Sequence, residues 1–127
     1  MRATVKIWTR RMEADMTVFE KVQGKRVDVD YESGDHYVID YLSEGELRWN
    51  ALSEVGGEPS SEVDPYDAVA LGEDVCMVNW IEEAGVVASQ VADFGNGRVT
   101  TFLTWPEEGA HGGRGKMVFE GRLTLVG

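Results

Sequence analysis

The chain has 127 residues, 43% hydrophobic and 28% charged, and a formal net charge of −11 from 23 acids against 12 bases. That length suits one domain, 1–127, able to bury a core without staples. So acidic a field repels nucleic acid and anionic membrane surfaces, which excludes both as expected partners.

The first 20 residues carry mixed signals. "ATVKIW" alternates like a strand, while "TRRMEADMTVFEKV" can form a short helix starting at a threonine cap. Arg2, Lys6, Arg10 and Arg11 cluster here, and a short basic start reads as a solvated face. Charge interrupts the stretch throughout, so it lacks the basic-then-apolar order of an export signal. The longest apolar runs, "VVAS" and "LTLV", fall far short of the roughly 20 residues of a membrane span. A cytoplasmic protein is the expectation, and Met16 is a second candidate start.

"KRVDVDYESGDHYVIDYL" is the clearest local pattern. Val27, Val29 and Tyr31 alternate with Arg26, Asp28 and Asp30, and after the turn Tyr37, Ile39 and Tyr41 alternate with His36 and Asp40. Period two with one apolar face marks half-buried strands, and Ser33-Gly34 joins them as a hairpin. Three phenols therefore share the inward face. Each buried phenol wants a hydrogen-bond partner, and an apolar pocket with a few convergent hydroxyls is the usual form of a small-molecule site. Aromatic pairs across strands are the simpler structural explanation. His36 falls on the polar face and is expected to be exposed.

"ELRWNAL" reads as a third strand with Leu47, Trp49 and Ala51 on one side, and 53–65 as a long loop rich in glycine, serine, proline and acid. Strands are expected at "YDAVAL", "VCMVNWI", "VVASQVA" and "RVTTFLTW", with Asn96-Gly97 among the strongest hairpin signals. "PEEGAHGGRG" is a loop before the last strand, "KMVFEGRLTLV". It lacks the lysine-serine ending and following helix of a phosphate cradle. The fold expected is all-β, a small antiparallel barrel of eight or nine strands with a short N-terminal helix. Closure removes exposed strand edges, and a barrel of this size either fills with side chains or holds one small ligand.

Cys76 stands alone and cannot pair internally. Within "DVCMVNW" it reads as a buried small hydrophobe rather than a nucleophile, since neither histidine is near in sequence. His36, His111 and Cys76 have no metal-ligand spacing, so no metal is expected. In "VCMVNWIEEAG", Cys76, Val78, Trp80 and Glu82 share one face, while Val75, Met77, Asn79 and Ile81 share the other. Both are apolar enough to be inside. If the Trp80 face is the inner one, Glu82 stands at the barrel rim, where burial beside aromatic rings raises its pKa and makes it a proton donor. Otherwise it is a solvated turn acid like Glu83.

Three motifs carry a family resemblance over residues 23–106: Tyr-Glu-x-Gly at 31–34, Trp-x-Glu-x-x-Gly at 80–85, and the aromatic strand ending at Trp105-Pro106. The region resembles the MoaF-like proteins and, more distantly, the bacterial phenolic acid decarboxylases, both of the calycin group with lipocalin-like barrels. Residues 1–22 then form an N-terminal segment and 107–127 a loop and closing strand. The decarboxylase resemblance implies cofactor-free loss of carbon dioxide from hydroxycinnamic acids, with Glu82 as proton donor and Tyr31 and Tyr37 holding the substrate. The chain departs from that pattern in two places. A further tyrosine of those enzymes falls on Val29, and their carboxylate-binding arginine falls near Asn50. Arg48 could replace it only by a register shift that reverses its face. The longer C-terminal part of the decarboxylases is also missing.

The expectation is a binding barrel for an aromatic or amphipathic molecule, lined by Val29, Tyr31, Tyr37, Ile39, Tyr41, Trp49, Val78, Trp80 and Glu82, with no cofactor. Two alternatives stay open. One is a lyase using Glu82 as general acid. The other is a filled barrel acting through an outer apolar face, and a homodimer is compatible with all three readings.

Overall fold

A computed structural model describes residues 17–52 and 60–127. The expected strand in "ATVKIW", the four clustered bases and Met16 lie outside the described residues. Eight antiparallel strands run β1 (Arg26–Tyr31), β2 (His36–Tyr41), β3 (Glu46–Ala51), β4 (Ser61–Ala70), β5 (Val75–Ile81), β6 (Val87–Asp93), β7 (Arg98–Pro106) and β8 (Arg114–Val126). Each pairs with the next, and β1 pairs with β8 to close the barrel. This is the small calycin-like barrel expected, with eight strands.

Alternation builds the core from β1 and β2 as anticipated. Val27 pairs with Ile39 and Val29 with Tyr37, and Val27, Val29, Tyr31, Ile39 and Tyr41 are buried. The turn between them closes through Gly34 N–H to the Tyr31 carbonyl at 3.0 Å, and Gly34 takes φ +98°, open to glycine at no steric cost. His36, expected to be exposed, is half-buried on the outer face and lies 2.7 Å from Asp28.

Two boundaries differ from expectation. β4 begins at Ser61, inside the segment read as loop up to residue 65. Its acids gave no apolar alternation, yet Asp64 is 2% exposed and points inward to accept a hydrogen bond. β8 likewise begins at Arg114, within the expected glycine loop, because Gly115 pairs with Trp105 and Arg114 with Pro106.

Helix α1 (Val18–Val22) is the short N-terminal helix. Thr17 caps it: its hydroxyl accepts from Glu20 N–H at 3.1 Å, and the Glu20 carboxylate accepts from Thr17 N–H at 2.9 Å. Val18 and Val22 are buried in the barrel core. Lys21 donates to the Glu73 carbonyl at 2.8 Å and pairs with Asp74 at 3.1 Å, both in the β4–β5 turn. The helix thus closes one end of the barrel. Tyr41 and Tyr66 pack edge to face at 5.2 Å near this end. Cys76 is buried nearby and its thiol is pushed up to about 11 by burial, which suits the inert hydrophobe.

One glycine makes closure possible. Gly121 sits opposite Tyr31, and a Cβ there would fall inside contact distance of the Asp30 carbonyl oxygen. β8 can serve both β7 and β1 only because this position has no side chain.

Candidate functional site: a cavity at the open end

The β1–β2, β5–β6 and β7–β8 turns lie at the end opposite α1. A cavity of about 250 Å³ lies inside the barrel, lined partly by residues beside these turns. The alternation left open on β5 resolves one way. Cys76, Val78 and Trp80 are buried inside, and Ile81 is 64% exposed outside. Glu82 therefore faces the cavity from the first position of the β5–β6 turn, whose hydrogen bonds run from Glu82 N–H to the Val86 carbonyl at 2.8 Å and from Gly85 N–H to the Glu82 carbonyl at 2.9 Å. "EEAG" is a hairpin turn, and its first acid lines a cavity.

Among the residues expected at the site, Val29, Tyr31, Tyr37, Ile39, Trp49, Trp80 and Glu82 line this one cavity. Tyr41 and Val78 do not; both are buried in the core outside the lining. Arg48 is exposed on the outer face. Asn50 also faces outward, donating to the Val38 carbonyl at 3.1 Å and accepting from Ser61 Oγ at 3.0 Å.

The aromatic wall is held by its neighbours. Tyr37 meets Tyr31 at 6.0 Å and Trp49 at 6.4 Å between ring centres, both near perpendicular. The Trp80 indole N–H donates to Glu82 Oε2 at 3.2 Å, and that of Trp49 to Asp64 Oδ2 at 3.0 Å. Burial pushes the Glu82 carboxyl up to about 7, with the nearby acids Glu62 and Asp64 adding to the rise and the Trp80 bond opposing it. Asp64 is pushed up to about 6, first by burial and then by the neighbouring Glu62 carboxyl.

The floor was not foreseen. Gln90 on β6 and Thr101 on β7 line the cavity and are 1% and 2% exposed. The Tyr31 and Thr101 hydroxyls are hydrogen-bonded to each other, and Gln90 Nε2 donates to Thr101 Oγ1 at 3.3 Å and to the Tyr31 hydroxyl at 3.5 Å. Gln90 Oε1 is buried and has no partner among the described residues. Trp105 also joins the wall, and it does so through Gly115: a Cβ on that residue would collide with the Trp105 indole. Arg114 on β8 ties the β5–β6 turn to strand β7, donating to the Gly85 carbonyl at 2.9 Å and to Thr104 Oγ1 at 3.2 Å.

A closed eight-stranded antiparallel barrel of this size defines a calycin-like protein. The sequence pattern of the MoaF-like family matches residues 23–118, and the chain belongs to that family. It is also similar to a crystal structure described as "a putative beta-lactamase from Burkholderia vietnamiensis", at a TM-score of 0.68 and 20% identity over 81% of this chain and 93% of the other. That likeness speaks for the shared fold alone. No curated protein matches the chain.

Proposed function

We propose that this MoaF-like protein is a small-molecule-binding barrel that holds an aromatic or amphipathic ligand in the cavity at its open end. The observation that carries the reading is the cavity itself, about 250 Å³ walled by Tyr37, Trp49, Trp80 and Trp105 with a few polar groups converging on it. Its size suits a single-ring ligand. A screen of small aromatic acids, alcohols and amines by thermal shift tests the proposal: a ligand stabilises the fold by mass action. A melting temperature that no compound moves, and no change in tryptophan fluorescence, count against it.

A second reading, a proton-transferring lyase, is favoured by one observation. Glu82 sits at the cavity wall with its carboxyl near 7, so it holds a transferable proton at neutral pH. Tyr31 and Tyr37 would orient the substrate. This reading requires turnover that Glu82→Gln abolishes while the fold is kept; turnover unchanged in that variant rules out the role.

A further inference from the structure

The polar groups of the cavity are unbalanced in kind. Gln90 Oε1 is a buried acceptor with no donor among the described residues. The amide orientation behind this is the less costly one, because reversing it would bury two N–H groups away from the hydroxyls they now reach. At the rim, Glu82 adds a carboxyl with one indole N–H on it. The Tyr31 and Thr101 hydroxyls share one hydrogen bond and both accept from Gln90 Nε2, which leaves one O–H proton uncommitted deep in the floor. What the rim asks of an occupant is therefore a donor or positive charge.

The aromatic wall points the same way. The N–H groups of Trp49 and Trp80 are committed to Asp64 and Glu82, so these indoles offer a ligand their carbon surfaces. Aromatic faces carry negative quadrupole charge and attract ammonium groups, most strongly where water is excluded. The other titratable groups around Glu82 are the acids Glu62 and Asp64 on β4, Glu83 on its own turn and the Tyr37 phenol on β2. The nearby guanidinium of Arg114 is bound to the Gly85 and Thr104 oxygens.

Accepting the binding-barrel reading, we propose that the ligand is a cation: a small aromatic or hydrophobic ammonium ion, its charged group beside Glu82 and its apolar body among Tyr37, Trp49, Trp80 and Trp105. This departs from the carboxylic acid that the decarboxylase resemblance implies. A carboxylate here would face the Glu82 carboxyl.

Three probes of one size separate the possibilities: 2-phenylethylammonium, 2-phenylethanol and phenylacetate, each titrated at pH 8 and low salt by tryptophan fluorescence and melting temperature. The expected order is cation over alcohol by about tenfold, with the carboxylate weakest. Glu82→Gln should reduce the cation's advantage over the alcohol to within about twofold. With benzyltrimethylammonium, whose charge is permanent, affinity for the wild type should rise between about pH 6 and pH 8 as Glu82 ionises. This wild-type profile also tests the idea if the variant does not fold. Equal binding of alcohol and cation, tightest binding of phenylacetate, or a flat pH profile overturns the cation proposal and leaves the binding barrel standing. Absence of binding by all three probes overturns both.

Discussion

Trp49 on β3 donates its indole N–H to Asp64 on β4 across 3.0 Å, and this bond pins the cavity wall to a carboxyl that is 2% exposed. Replacing Asp64 by alanine strands the indole N–H and should cost about 1–3 kcal/mol. Asp64→Asn keeps an acceptor and removes the charge. Since burial and Glu62 raise this carboxyl to about 6 in the fold, against an ordinary 3.8, the asparagine variant should be more stable than wild type at pH 8 and no more stable near pH 4. Urea unfolding at the two pH values reads the difference.

Glu82 predicts the pH dependence of stability. The folded protein holds this proton up to about 7 and the unfolded chain only to about 4.5. The fold therefore binds more protons between those values, and stability must fall as pH rises through them. The contribution is greatest below about 4.5 and is lost above about 7. Glu82→Gln should flatten this part of the decline in melting temperature between pH 4.5 and pH 8. An identical slope in both proteins would show that the carboxyl is not shifted.

Much of the barrel is legible in the sequence where alternation is clean. The β1–β2 hairpin, with Val27, Val29 and Tyr31 inside and a glycine at the turn, reads directly, as does the Asn96-Gly97 turn. The start of β4 does not, because its inward residue is an acid: Asp64 is there for the Trp49 indole, a partner that the local pattern cannot show. β6 conceals its face in another way. The valines at 87 and 91 lie on the more exposed side, while Ala88, Gln90 and Ala92 are buried, so hydrophobicity alone does not select the interior. Gln90 and Trp105 were missed for related reasons, one being polar and the other owing its place to an absent side chain across the ladder.

That absent side chain gives a specific test. Gly115→Ala places a methyl where the Trp105 indole lies, and the stiff ring must move. Overpacking should destabilise by about 1–3 kcal/mol, and the change should shift tryptophan emission and weaken cavity binding. Binding and emission equal to wild type would mean that Trp105 does not shape the cavity.

The floor triad should behave as a unit. Tyr31→Phe takes one hydrogen-bond partner from both Gln90 and Thr101 and leaves them only each other, and Thr101→Val leaves the Tyr31 phenol, whose ionisation burial already opposes, with only the longer Gln90 bond. Each should cost about 1–3 kcal/mol. The double variant should cost less than the sum, with a coupling of about 0.5–3 kcal/mol in a denaturant double-mutant cycle. Strict additivity would show that the hydroxyls are not bonded in solution.

Helix α1 has a kinetic consequence. With Val18 and Val22 buried in one end and Lys21 fastened to the β4–β5 turn, the described barrel is a cup whose aromatic cavity faces the other end. Arrival and departure of an occupant through that mouth share one passage. A substitution that merely narrows it must slow both by the same factor and leave the equilibrium untouched. The turns around the mouth can thus set residence time independently of affinity, while the wall and floor set affinity.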